Sequence, residues 1–301
     1  MKKLIECIPN FSEGRDKEKI ERIVDEIRKQ NGIKLLNYSY DKDHNRSVVT
    51  FVGEPEEVIE AAFNSCKKAC ELIDLRIHKG EHPRMGATDV IPLVPIKNVT
   101  MQECIEYSKT LAKRIAEELN IPVFLYEKSA MTPEREDLSN IRKGEFEGMF
   151  EKMKKEEWKP DYGQDKPHES AGVTAVGARM PLIAFNINLN TNNIEVAKKI
   201  AKAVRGKSGG FKYCKSLAFE IKERNIVQVS MNMVDYTKTP LYRVFQVIEN
   251  EANRYGVSVI GSEIVGLIPL NAIADIADYF LKLENFNYDQ ILENQIYGDE
   301  L

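Results

Sequence analysis

The sequence has little of what several broad protein classes require. It has no surplus of positive charge: 43 Lys and Arg stand against 47 Asp and Glu, a net charge of −4. That excludes a general polycation built for nucleic acid, though not a local basic groove. No apolar run approaches the ~20 residues of a bilayer span, so no membrane association is expected. The start, MKKLIECIPNFSEGR, offers two lysines and a short apolar patch, and does not read as a secretion signal. Cysteine is limited to Cys7, Cys66, Cys70, Cys104 and Cys214. An odd count without a secretion signal argues against a disulfide framework and for a reduced, cytoplasmic protein. Cys66 and Cys70 sit four apart in a helical pattern without a second metal-spaced pair. Buried small side chains are the better reading, and no metal is expected. Histidine is scarce as well, with four in the chain.

What is present is ordinary globular composition, 43% apolar and 30% charged, over 301 residues. At ~150 residues per domain that suggests about two domains. Ile20, Ile23, Val24 and Ile27 follow helical spacing within 16–30, and Asn31-Gly32 stops that helix. Strands are expected at 3–8, 33–40, 46–53, 89–95 and 122–127, with helices at 55–74 and 101–119. The second half gives strands at 181–189, 215–223, 226–235 and 257–264, with helices at 193–205, 240–255 and 271–283. Each half therefore reads β-α-β-β-α-β with an extra helix, the split βαβ, ferredoxin-like order. The expected fold class is α/β (α+β): two such subdomains, residues 1–175 with a linker loop and 176–301, each a sheet with helices on one face. Residues 128–172 break the pattern, with one short helix near 145–155. Long ordered loops of this kind tend to be functional.

The segment RIHKGEHPRMGATDVIPLVP concentrates polar groups between a buried helix and a core strand. A plain exposed loop is one reading of it, a site the other. His82 is the natural proton shuttle, since imidazole titrates near neutrality. Glu81 or Asp89 could orient it, and Arg84 could hold a carboxylate in bidentate fashion. His78 and His82 have i, i+4 spacing, but Gly80 and Pro83 oppose the helix a metal pair would need. His44 and His168 read as turn and loop residues. No Gly-rich dinucleotide motif, P-loop or nucleophile elbow is present, and RGKSGGFK at 205–212 has the wrong spacing for phosphate.

Four motifs in order, ECIPNFSEGR at 6–15, NRSVVTFVG at 45–53, GEHPRMGATDVIP at 80–92 and GARMPLIAFNINL at 177–189, closely resemble glutamate formiminotransferase, the N-terminal part of formiminotransferase-cyclodeaminase. The resemblance covers about residues 2–290 and leaves no room for the cyclodeaminase half. It implies two α/β subdomains with a folate tunnel between them, and a homodimer. It places the catalytic histidine on His82. It assigns folate binding to the loop Gly163, Gln164, Asp165, Lys166, Pro167, His168, Glu169, Ser170, Ala171 and Gly172. Asn10, Glu13, Asn45, Arg46, Arg84 and Arg179 are candidate pocket residues, with turn and capping chemistry as the alternative for the first motifs.

The implied reaction moves a formimino group from N-formimino-L-glutamate to N5 of tetrahydrofolate, in histidine degradation and one-carbon metabolism. Tetrahydrofolate is a co-substrate, taken as its polyglutamates, and a separate cyclodeaminase is a possible partner. Both substrates carry carboxylates, so Lys79, Arg84, Arg46, Arg179 and the basic, Gly-rich stretch 205–212 are candidates to hold them, with a mobile helix-end loop as the alternative for that stretch. The alternatives are another donor, formiminoglycine or formylglutamate, and a non-catalytic folate-binding protein.

Overall fold

The computed structural model describes residues 2–297. They divide into two compact units, the first ending at Arg179 and the second starting at Met180.

The first unit runs β1 (Leu4–Cys7), β2 (Asn10–Phe11), α1 (Lys17–Arg28), β3 (Lys34–Asp41), β4 (Arg46–Gly53), α2 (Pro55–Leu72), β5 (Thr88–Lys97), α3 (Met101–Leu119), β6 (Val123–Leu125), α4 (Leu138–Arg142), α5 (Glu145–Lys152) and β7 (Thr174–Ala178). Helix starts follow from local chemistry. Asp16 caps α1 by accepting the N–H groups of Glu18 and Lys19, and Thr100 and Glu103 form a capping box on α3. The four apolar residues expected on one face of α1 are all buried.

β1 and β2 act as one interrupted strand, each pairing antiparallel with β4 and with β5. β3 pairs with β4 on the outside. This is the ferredoxin-like arrangement. The sheet then grows beyond it: β5 pairs with β7, and β7 with β6, both in parallel. Strand alternation separates two cores. Ile91, Leu93, Val123, Leu125, Val176 and Ala178 join the helices of one face. Val90, Phe124, Tyr126 and Ala175 pack on the other face against Ile141, Met149 and Met153 of the insert. Helices on one face only is thus true of the ferredoxin-like part, while α4 and α5 cover the far side of β5, β7 and β6.

The second unit runs β8 (Ile183–Leu189), α6 (Ile194–Val204), β9 (Cys214–Ile221), β10 (Ile226–Met233), α7 (Leu241–Arg254), β11 (Val259–Val265), α8 (Leu270–Leu281) and α9 (Leu292–Tyr297). Its four strands form an antiparallel sheet in the order β11-β8-β10-β9. Ile183, Phe185, Ile187 and Leu189 alternate inward to meet Ile200, Val204, Val244 and Ile248. Among the described residues, no helix is long and apolar enough to cross a membrane.

Candidate active site

Register gathers several of the expected residues. Along β4, Ser47, Val49 and Phe51 point into the core, which leaves Arg46 and Val48 on the opposite face. Val48 faces Asn10, and Glu6 faces Val52 and Val94. Asn10, Arg46 and Glu6 therefore share the face opposite α1 to α3. Arg179 directly follows β7, its N–H donating to Leu93 O at 3.0 Å. Burial raises the Glu6 carboxyl above its usual range, and the charge of Arg179 opposes this. Glu6 was not singled out by the sequence, because a lone Glu on a strand gives no signal.

His82 lies half-buried at the end of this face, in the loop that leads into β5. Arg46 Nη1 donates to His82 Nε2 at 2.6 Å. A guanidinium only donates, so Nε2 carries no proton and the ring proton sits on Nδ1. The pKa of His82 is pushed down to about 3, first by burial, then by the charges of Arg46, Arg142 and His44. The imidazole is neutral. His44 stands with its ring centroid 6.5 Å away, its own Nδ1 3.0 Å from the Asp41 carboxylate.

Arg142 is the residue that sequence reasoning missed. Its Nε and Nη2 meet Asp89 Oδ2 at 2.8 and 2.5 Å. Asp89 is 1% exposed and also accepts the Met85 N–H at 2.9 Å, which fixes the loop that carries His82. A bulge aims it there: Asn10 and Phe11 face Val90 and Thr88, leaving Asp89 as the extra residue. Asp89 thus orients the loop, not the imidazole directly. Lys152 Nζ donates to the carbonyls of Asn140 and Ile141, so the C-terminal end of α4 is pinned where Arg142 leaves it.

His78 has the opposite character. Its Nε2 donates to Asn45 O at 3.0 Å and its Nδ1 accepts from Arg84 Nε at 3.3 Å. Arg84, buried, gives its remaining donors to Glu145, Glu147 and His78 O. Its fork is engaged within the protein, and this cluster borders a cleft of about 430 Å³ lined by Arg76, Lys79 and Gly144. Asn45, in a left-handed conformation, ties the first and third motifs: its Oδ1 accepts from Gly14 N and its Nδ2 donates to Lys79 O.

In the loop from Gly163 to Gly172, Gln164, Asp165 and Lys166 are exposed, while Pro167, Ala171 and Gly172 are buried. His168 and Gly172 exchange backbone hydrogen bonds, and His168 Nδ1 accepts from the N–H groups of Ser170 and Ala171. Ser170 O and Ala171 O accept from Leu75 N and Ala87 N, and Val173, just past the loop, donates to Met85 O. Gly172 crosses Gly86, and a Cβ on Gly86 would lie 2.0 Å from Val173 O.

The loop into β5 thus holds a neutral histidine that accepts from Arg46 and feels the charge of Arg142, at the end of a ferredoxin-like sheet. The chain belongs to the formiminotransferase family. Residues 4–179 match the formiminotransferase domain, N-terminal subdomain, and residues 184–296 match the formiminotransferase domain. The chain is 57% identical over 299 residues to a glutamate formimidoyltransferase of Streptococcus pyogenes serotype M1, covering 99% of this chain and 100% of that one. It is 48% identical to a glutamate formimidoyltransferase of Thermoplasma acidophilum, covering 97% of each. A formimidoyltransferase-cyclodeaminase of Dictyostelium discoideum is 46% identical over 97% of this chain and 56% of its own length.

Proposed function

We propose that this protein transfers the formimino group from N-formimino-L-glutamate to N5 of tetrahydrofolate, giving 5-formiminotetrahydrofolate and glutamate, with His82 as general acid and base. The observation that carries this reading is the neutral His82, bonded by Arg46 and under the charge of Arg142, in a family whose relatives bear the name of that activity. The folate amine attacks the amidine carbon, and a tetrahedral intermediate releases the glutamate nitrogen. The attacking nitrogen loses a proton and the leaving nitrogen gains one. One imidazole serves both steps and contributes about 10²–10⁴ in rate. Alignment of the two substrates supplies much of the rest.

The folate is assigned to the loop Gly163–Gly172, whose anchoring to Ala87 ties it to the segment that follows His82. A homodimer acting in the cytoplasm, on folate polyglutamates and beside a separate cyclodeaminase, completes the reading. The test is turnover of tetrahydrofolate with formiminoglutamate, formiminoglycine or formylglutamate, with His82→Ala as control. Turnover of formiminoglutamate that vanishes in the variant is expected. Turnover with a different donor alone would move the substrate, and folate binding without turnover would favour a storage role.

A further inference from the structure

His82 as it stands cannot accept a proton. The lone pair that would take one is Nε2, and Arg46 Nη1 occupies it at 2.6 Å. An arginine does not give up its proton in exchange. Something must move before the imidazole can work.

The surroundings identify what moves. The charged groups facing His82 are Arg46, Arg142 and His44, with Asp89 and Asp41 behind them. Asp89 is committed to Arg142 and to Met85 N. Asp41 is exposed and committed to His44. Two guanidiniums thus stand near one buried carboxylate that only Arg142 bonds, and a half-buried excess of positive charge is a place for an anion. The two cations also differ in freedom. Arg142 is fixed by a hydrogen bond and a second ion-pair contact to Asp89, on a helix end that Lys152 holds. Among the described residues, the guanidinium of Arg46 hydrogen-bonds to His82 alone.

We propose that a carboxylate of the donor substrate frees His82 by drawing the Arg46 guanidinium off Nε2, with Arg142 as the fixed second cation that receives the same carboxylate. This deepens the proposed function and rests on its reading of the donor as a carboxylic acid. The step exchanges one charge-assisted hydrogen bond for two and makes or breaks no covalent bond. It leaves Nε2 open beside the bound donor. The carboxylate also cancels the positive field that disfavours an imidazolium, so the base gains strength when the donor arrives. Arg46 is then a positioning residue whose substrate contact switches on the shuttle, and a free enzyme holds its base inactive.

The test uses the full chain with 15N-labelled histidine, and follows the His82 ring nitrogens against pH by NMR. The probes are glutarate, a dicarboxylate, and glutaramide, its uncharged diamide. Saturating glutarate is expected to raise the proton affinity of His82 at least tenfold, and glutaramide to leave it unchanged. In Arg46→Gln the affinity is expected to be raised already without ligand, and glutarate to add little. Arg46→Lys, which keeps the charge and serves should the glutamine variant fail to fold, is expected to restore part of the glutarate response. Glutarate that leaves His82 unmoved in the unaltered protein, at any soluble concentration, overturns the proposal. So does an Arg46→Gln protein whose His82 titrates as before. If glutarate moves His82 but formiminoglutamate is not turned over, the switch stands and the assigned reaction falls. If formiminoglutamate is turned over while His82 ignores glutarate, the reaction stands and the switch falls.

Discussion

The two units share a strand arrangement and differ in what is built onto it. In each, the first strand of the ferredoxin-like order lies between the third and the fourth: β1 and β2 between β4 and β5, and β8 between β10 and β11. Among its described residues the second unit adds no further strand, and on its far face the Gln228 amide donates to Asn188 Oδ1 and to the Glu263 carboxylate. The first unit adds two parallel strands and an insert. With them come buried charges: Arg84, Asp89 and Arg135, at 7%, 1% and 5% exposure. Ion pairs of the second unit such as Lys238–Asp235 and Arg254–Glu251 are neighbours along the chain with exposed cations. Burying a charge is costly unless it is paired, so these buried pairs make the first unit the candidate place for the chemistry, although Asp235 of the second unit is buried too.

The largest effect should come from two histidines of the first unit: His82, held at Nε2 by Arg46, and His78, engaged within the fold at both ring nitrogens. His82→Ala is expected to lower kcat by about 10²–10⁴ with little loss of stability, since it removes a general acid and base. His78→Ala is expected to do the reverse. It leaves Asn45 O and Arg84 Nε without their partner, at a cost of about 1–3 kcal/mol. Turnover assays paired with urea denaturation of both variants check this. Equal losses in both readouts for both variants would erase the distinction.

A second contrast separates the units by their ion pairs. Arg135 Nη1 meets Asp161 at 2.8 Å, and its Nη2 donates to the carbonyls of Glu157 and Lys159, clamping the end of the insert. Arg135→Ala removes a buried cation and leaves the largely covered Asp161 carboxylate with only the Leu125 N–H among the described residues, and is expected to cost about 3–5 kcal/mol. Lys238→Ala in the second unit should cost less than about 1 kcal/mol. Denaturation midpoints of the two variants decide it. Glycines sharpen the same contrast on a smaller scale. Gly86→Ala drives a Cβ to 2.0 Å from Val173 O and is expected to cost about 3 kcal/mol, where strands cross at the site. Gly261→Ala in β11 meets nothing within 4 Å and should be neutral or stabilise by about 0.4–1 kcal/mol.

The ferredoxin-like parts were legible because periodicity reports burial. Ile20, Ile23, Val24 and Ile27 announced α1, and alternation announced β4. β7 was not legible. It is buried on both faces between parallel strands, so TAVGA shows no alternation and reads as the end of a loop. At the site, His82 and Arg46, expected from two separate motifs, do meet. Arg142 was not found, because its partner Asp89 lies 53 residues away and only the folded insert joins them. Arg84 looked like a substrate ligand from its motif, yet its donors are taken by Glu145 and Glu147, which no local pattern reveals.

The pH dependence of stability isolates the first unit, because all four histidines lie in it. Both His82 and His78 are held below their ordinary value of 6.5, chiefly by burial, and His82 to about 3. Between pH 3 and 6.5 the unfolded chain therefore binds a proton at His82 that the folded chain does not. Stability rises with pH wherever the unfolded state holds more protons, at about 1.4 kcal/mol per pH unit for each such proton. The contribution is complete above pH 6.5 and is lost as the pH falls through the window toward 3. Carboxylates join in at the acid end, so the clean reading is from pH 5 to 6.5. There the unaltered protein should gain stability with pH, and His82→Gln should flatten much of that slope. The residue of slope belongs to His78 and should vanish in the double variant. A slope left intact by both substitutions would mean that neither histidine is held neutral by the fold, and the contrast between a plugged and an engaged imidazole would lose its basis.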